Sequence, residues 1–447
     1  MLDSPRVGSA PAEGVFAGID WGNAHHQLCI LDSAGQLVEQ GSVTHDVAGI
    51  SELQSRLRRR APIVGVAIER SEGLLVESLQ AQGHRLFCVS PKLSARARER
   101  YRIAPGKSDA FDAFVLADSL RHEHRHWRSL AVPSPLLAEL RALTRDRERL
   151  VWNQRDTENQ LRAIVQAYHP GVLHLFSSLD RDIALAFLRD YPTPVHAARI
   201  GPARMSAFCV RHGYSGRTKP ELLVDRLRAN LLSAADGTTD GKAFSAMLFT
   251  DQLELLNNQV RAITKRIRER LAEHPDAAIF LSFPGMGEVT AATMLAEMGE
   301  DRARFPTADV LLAETGTAPV TRSSGRSRTV RFRYAANKRM RHAVDWWTFA
   351  AVRENDWAHE AYQQARPRTA AQPRAARRRR PLDTHPVAVL ERPHDLRSVT
   401  APEEPARPGN HHLTQARTTA RERFTGPRAR SPCSQIPGPG CVFDHQG

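Results

Sequence analysis

Cysteine is scarce: five in 447 residues (Cys29, Cys88, Cys209, Cys433 and Cys441), with no CxxC pair and no His-rich spacing beside them. That gives no basis for a zinc site or a disulfide framework, and it suits a reducing, cytoplasmic setting. Long apolar runs are also missing. No stretch approaches the ~18 residues of a membrane span, and the opening MLDSPRVGSAPAEG lacks the apolar centre of a signal peptide. Lysine is absent after residue 365. Fifteen Arg, seven acids and twelve of the 28 prolines follow there with no helix or strand period, so 366–447 reads as a disordered Arg/Pro-rich tail. The abrupt change of texture suggests a reading-frame change in a GC-rich gene; if no other frame past codon 365 encodes an amphipathic helix, that idea is wrong.

What is present is positive charge and enough apolar residue for real cores. Lys and Arg outnumber Asp and Glu by 63 to 49, a net +14, and 41% of residues are hydrophobic. A basic chain of this size favours a polyanion such as nucleic acid over an acidic small molecule, and its length allows two or three domains.

Three strand-like runs, GVFAGID, HQLCILD and QLVEQGSV, are joined by short turns and predict a meander. A helix at DVAGISELQSRLRRR, the apolar run IVGVAIE, a helix at EGLLVESLQAQG and a strand at HRLFCVS follow, which makes 14–130 a mixed α/β sheet domain. From 131 to 275 the pattern is long amphipathic helices. Phe249, Leu253, Leu256, Val260, Ile263, Ile267 and Leu271 recur at steps of four and three, a coiled-coil seam. An earlier seam through Leu136, Leu140, Leu143, Leu150, Leu161 and Ile164 is interrupted by Arg147, Gln154 and Thr157, which leaves irregular packing or a nucleic-acid face open beside an ordinary helix pair. Residues 276–365 read as a compact, mainly α unit: two short helices around FPGMGEVT, a basic loop TRSSGRSRTVRFR, and a helix from about Asn337.

In a chain this basic, GKSDAFDAFVLADSLRHE places Asp109 and Asp112 one helical turn apart, where like charges repel. Ser108 is a plausible N-cap, and first-turn acids complement the helix dipole, so the pair has a purely structural reading. Asp20 and Glu69 end strand-like runs elsewhere. In a mixed sheet of this order those strands can be neighbours, and four converging carboxylates need a cation. Oxygen-rich clusters suit Mg²⁺ or Mn²⁺, and a metal pair can activate and stabilise both oxygens of a phosphodiester displacement. Asp118, six residues past Asp112, reads as a solvated face, and His25 and His26 as ordinary strand residues.

Together GIDWGNAHHQLCILD, VAIERSEGLLVESL, VSPKLSARARERY and GKSDAFDAFVLADSLR resemble the N-terminal domain of insertion-sequence transposases with a RuvC-like, ribonuclease-H-type DEDD site, and the likeness continues to about residue 365. The resemblance implies an α/β ribonuclease-H-like domain with Asp20, Glu69, Asp109 and Asp112 as catalytic metal ligands for Mg²⁺ or Mn²⁺.

The loop APVTRSSGRSRTVRFR sets Ser323, Ser324 and Ser327 among Arg322, Arg326, Arg328, Arg331 and Arg333. On its own this is a Ser/Gly turn with a basic edge, or a serine nucleophile clamped by guanidinium groups with no local base. The resemblance selects Ser324 as nucleophile, with Ser323 as the neighbouring alternative. It also implies a homo-oligomer, dimer or tetramer, whose serine and metal acids come from different subunits, and a structured bridge RNA that pairs with target and donor DNA. FPGMGEVTAATMLAEMG resembles a helix-hairpin-helix in which Gly285 and Gly287 let backbone N–H groups approach a phosphate; a plain tight turn is the alternative.

The leading expectation is therefore an RNA-guided DNA transposase or recombinase. A RuvC-like metal nuclease or resolvase, and an idle nucleic-acid binder, are the competing readings.

Overall fold

The computed structural model describes residues 14–60, 62–101, 108–325 and 327–370. The sequence beyond 370, with most of the expected tail, lies outside the described residues.

Five strands form the N-terminal sheet: β1 (Val15–Trp21), β2 (His25–Leu31), β3 (Leu37–Thr44), β4 (Ile63–Ile68) and β5 (Leu86–Cys88), in the order β3-β2-β1-β4-β5. The meander β1-β2-β3 is antiparallel, whereas β4 joins β1 in parallel with Ile19 beside Ile68, and β5 joins β4 in parallel. A parallel partner needs a crossover. α1 (Val47–Arg59) precedes β4, and α2 (Leu74–Ala81) lies between β4 and β5.

The strand period of two divides the sheet into two faces. Ala17, Ile19, Leu28, Ile30, Val66 and Ile68 pack with Leu53, Leu57, Leu75 and Leu79 of α1 and α2. Phe16 and Ala67 turn the other way, toward Leu116 and Leu120 of α4 (Asp109–Glu123), reached through α3 (Pro91–Arg98). Cys29 and Leu31 meet Ala113 and Ala117 on that same face.

α4 approaches β1 so closely that a Cβ on Gly18 would overlap the backbone of Ala113 and Ala117 and lie 3.0 Å from the Leu116 Cβ. Only glycine permits that contact.

The middle is dominated by α5 (Pro135–Tyr168) and, after α6 (Asp182–Asp190), α7 (Pro194–Ala198), α8 (Pro202–Arg211) and α9 (Pro220–Ala229), by α10 (Asp236–Ala272). The long helices run antiparallel: Glu139 pairs with Arg266 and Arg270, Arg147 bonds Thr264, and Gln154 bonds Asn257. Two of the polar breaks in the first seam therefore bond α10, and the Thr157 hydroxyl bonds the Asn153 carbonyl of its own helix, so they serve the helix pair rather than a nucleic-acid face. Arg147 Nε donates to the Thr264 hydroxyl at 2.8 Å, Gln154 Nε2 to Asn257 Oδ1 at 2.6 Å, and Thr157 is buried. The four short helices cap the far end of the pair around Leu185, Phe187, Phe208 and Leu227.

Because α10 returns along α5, the last unit sits beside the start of α5. It comprises α11 (Ala277–Leu281), α12 (Glu288–Met298), α13 (Ala308–Thr315), a hairpin of β6 (Val320–Ser324) and β7 (Ser327–Arg331), α14 (Lys338–Glu354) and α15 (Asp356–Ala370). Leu137, Leu140, Ile267 and Leu271 share a core with Leu295, Met340 and Val344. The basic stretch expected as a loop is thus a two-stranded ribbon. α15 also carries helical order five residues past the expected limit at 365.

Candidate active site

Asp20 lies on β1 and Glu69 directly follows β4. The parallel register sets Ile19 beside Ile68, so the two acids are next neighbours at the same end of adjacent strands, ~5 Å apart in the hydrogen-bonding direction. The residues that follow them are also joined, with the Arg70 guanidinium 3.7 Å from the centre of the Trp21 ring. Trp21 packs toward the α1/α2 face, so by alternation Asp20 belongs to the α4 face, as does Glu69 after Ala67 and Ile68.

α4 brings the other two acids to this edge. Phe16 packs with Leu116 and Leu120, and Gly18 lies against Ala113 and Ala117. Two residues of strand advance ~6.6 Å and four residues of helix ~6 Å, so the next step along β1, Asp20, falls beside the first turn of α4. That turn begins at the cap, where the Ser108 hydroxyl accepts from Phe111 N at 3.2 Å, and it carries Asp109 and Asp112. Asp109 is exposed and Asp112 is buried at 4%.

All four acids thus occupy one edge on one face, but their carboxylates do not close on a common point. Among the described residues no three His, Cys, Asp or Glu side chains form a group able to hold a metal ion. Asp112 Oδ1 instead accepts from Arg98 Nη1 at 2.6 Å. The donor set still fits a hard divalent cation. It is all oxygen, and its most buried member already takes a positive partner from a neighbouring helix.

Asp118 corrects the expectation of a solvated face. It is 5% exposed, accepts from Arg121 at 2.7 and 3.0 Å, and is bonded by the Tyr101 hydroxyl. Burial raises its pKa, but the bonds from Tyr101 and Arg121 and the nearby His122 and Arg121 outweigh that and leave it below the usual carboxylate range. Tyr101 is pushed up to about 12 by burial and by this partner. His26 is fully buried, with Nε2 2.7 Å from His45 Nδ1; burial, then His45 and His25, lower its pKa to about 4.

The hairpin presents the serine differently. Ser323 pairs with Arg328 and Ser324 with Ser327, and Arg322, Ser323, Ser324, Arg328 and Arg331 are all exposed. Cross-strand partners share a face, and faces alternate along each strand. Ser324 therefore shares its face with Arg322 and Arg331, whereas Ser323 shares the opposite face with Arg328. Among the described residues no His or carboxylate hydrogen-bonds Ser324; Arg326 lies outside them.

Arg333 does not join the basic edge. Its Nε donates to Ala318 O at 3.1 Å, and Arg341 bonds Thr315, Gly316 and Arg333 carbonyls, fixing the root of the ribbon. Gly285 does not open toward a phosphate, since a Cβ there would lie 2.5 Å from Ala351 N, against α14. Gly287, at the start of α12, has open space above it.

One network was invisible in the sequence. Glu297 of α12, 6% exposed, accepts from Arg145 Nε at 2.8 Å and from Asn337 Nδ2 at 2.9 Å. Burial raises its pKa, and these partners more than reverse the effect. Arg145 also pairs with Glu72, three residues past Glu69, which ties the acidic edge to the C-terminal unit.

Both the acid-bearing α/β domain and the ribbon unit match known protein families. Residues 17–170 match the DEDD transposase domain of the IS110 type, and residues 277–363 match a domain described as transposase, IS116/IS110/IS902 family. The chain is 35% identical over 362 residues to the mini-circle transposase assigned to IS117 of Streptomyces coelicolor, spanning 79% of this chain and 87% of that one. It is 31% identical to an uncharacterized 42 kDa protein of insertion element IS900 from Mycobacterium paratuberculosis, over 70% of this chain and 79% of the relative. To an uncharacterized 44.8 kDa protein of IS116 from Streptomyces clavuligerus it is 30% identical, over 70% and 78%. The chain belongs to the IS116/IS110/IS902 family of transposases. Family membership implies DNA as partner and the cutting and rejoining of its strands. Among the described residues no helix is long and apolar enough to cross a membrane.

Proposed function

We propose that this chain moves an insertion sequence by metal-dependent strand cleavage at the Asp20–Glu69–Asp109–Asp112 edge of a RuvC-like, ribonuclease-H-type domain, followed by rejoining. The observation that carries the reading is the placement of Asp20 and Glu69 at neighbouring strand ends on the face that α4 covers with its acidic first turn. Mg²⁺ or Mn²⁺, held by these carboxylates, would supply charge neutralisation at the attacked phosphate. The sheet register sets the positions of Asp20 and Glu69 and burial sets that of Asp112, so the fold gathers the donors at one edge, where an ion would draw the carboxylates together.

Ser324 is the proposed nucleophile of that same cleavage. Its Oγ gives up its proton and forms a bond to phosphorus as the 3′ or 5′ sugar oxygen leaves and takes up a proton, and the hydroxyl of the joining strand then displaces the serine Oγ, which regains its proton, to rejoin the DNA. Arg322 and Arg331 on the same face of the ribbon supply the guanidinium clamp. The base, a bridge RNA to choose the sites, and a second copy of the chain to complete the centre belong to this proposal as partners.

The test is strand exchange on a plasmid carrying the element ends and its flanking RNA, in Mg²⁺. Loss on Asp20→Ala and on Ser324→Ala supports both halves; unaltered exchange in Asp20→Ala removes the first. The exposed position of Ser324, without a bonded base, favours one second reading, a RuvC-like nuclease or resolvase whose ribbon only binds DNA. Cleavage that survives Ser324→Ala with no protein attached to the DNA ends would establish it.

A further inference from the structure

We propose that Arg98 is a positioning residue that stands in for a divalent cation at Asp112 and yields that carboxylate when the ion binds; the inference rests on the metal reading above. Asp112 is 4% exposed, and a carboxylate so deeply placed needs a paired or hydrogen-bonding partner in place of water. Arg98 supplies it through a single bond, Nη1 to Oδ1 at 2.6 Å, a short charge-assisted contact. The Arg98 side chain is 28% exposed, so the guanidinium reaches in from the surface and has water to return to.

The scaffold allows that exchange. Arg98 ends α3, and the short turn Glu99–Tyr101 follows it. Tyr101 then hooks onto Asp118, six residues further along α4, and packs edge-on against Phe111 and Phe114 with ring centres 5.9 and 5.4 Å away. The end of α3 and the turn after it are thus held to α4 by Arg98, by Tyr101 and by Arg100, which pairs with Glu123 at 3.1 Å, and of these only the Arg98 contact occupies a site acid. Releasing Arg98 leaves the Tyr101 anchor in place. The guanidinium holds the Asp112 carboxylate aligned. A divalent ion would compete with Arg98 for that oxygen, so the pair would set a threshold for loading.

The experiment is Mn²⁺ titration of the full chain without nucleic acid, followed by calorimetry, on the wild type and on Arg98→Gln, Arg98→Lys, Tyr101→Phe and Asp20→Asn. Arg98→Gln is expected to bind Mn²⁺ about tenfold more tightly, Arg98→Lys to stay near wild type, and Tyr101→Phe to lower the melting temperature without changing affinity. A role in holding the fold alone would make Arg98→Gln bind no better. Unchanged or weaker binding by Arg98→Gln, with native circular dichroism, overturns the inference while leaving the metal reading intact. Equal binding by wild type and Asp20→Asn, or none by any variant, overturns the metal reading and this inference with it.

Discussion

The acidic edge and the serine ribbon carry the two halves of the proposed chemistry on opposite kinds of scaffold. At the edge, each acid is placed by something buried: Asp20 and Glu69 by the β1–β4 register, Asp112 by the helix seated on Gly18. On the ribbon, Ser324 and its arginines have no core beneath them, and only the root is held, by Arg333 and Arg341. The edge is assembled on buried supports, whereas the ribbon stands in solvent on both faces. A change at the edge should therefore damage stability and chemistry together, and a change on the ribbon chemistry alone.

The largest expected break is at the acids of the proposed metal edge. Asp20→Ala or Asp112→Asn should lower strand cleavage by about a thousandfold or more, the rate equivalent of several kcal/mol of lost charge stabilisation, measured as single-turnover cleavage in Mg²⁺. Gly18→Ala forces a methyl into the α4 backbone and should cost about 1–3 kcal/mol in denaturant titration while also reducing cleavage. Removing Arg145 leaves Glu297 charged and buried; Arg145→Ala should destabilise by about 3 kcal/mol, with Arg145→Ala/Glu297→Ala less damaged than the single mutant.

On the ribbon the effect should be confined to binding and transfer. Arg322→Ala should leave stability within about 0.5 kcal/mol of wild type and reduce the salt slope of DNA binding by about 0.9. It should also impair covalent attachment through Ser324 more than Arg328→Ala does, because Arg328 lies on the other face. Equal effects would remove the facial distinction between Ser324 and Ser323.

A further effect is on pH. Buried His26 titrates at about 4 in the folded chain and near 6.5 when unfolded, so the unfolded state binds more protons between these values. Stability should be full above about pH 6.5 and decline as pH falls toward 4. His26→Gln should flatten that part of the profile in urea melts.

The strands, the Ser108 cap and the second seam were legible because each buries one face and leaves a period. Leu253, Ile267 and Leu271 of that seam are all at most 2% exposed. The β6–β7 ribbon was not legible: with both faces in solvent, nothing selects an apolar alternation in VTRSS or SRTVR. Helices α6–α9 are ten residues or fewer, too short for a firm period, though Pro194, Pro202 and Pro220 at three of their first turns were readable start signals. Asp118 was misread because spacing from Asp112 says where it points on a helix but not that Tyr101, seventeen residues earlier, comes to meet it. Arg98 and Arg145 owe their roles to contacts across separate elements, which no local pattern records.

The antiparallel α5–α10 pair has a mechanical consequence. At 34 and 37 residues these helices reach roughly 50 Å, with the cap of α6–α9 at one end and both chemical units at the other. A partner bound at the cap would thereby be held a fixed stride from the acidic edge. Lengthening both helices by seven residues would move the cap by about 10 Å without altering a single residue at the opposite end.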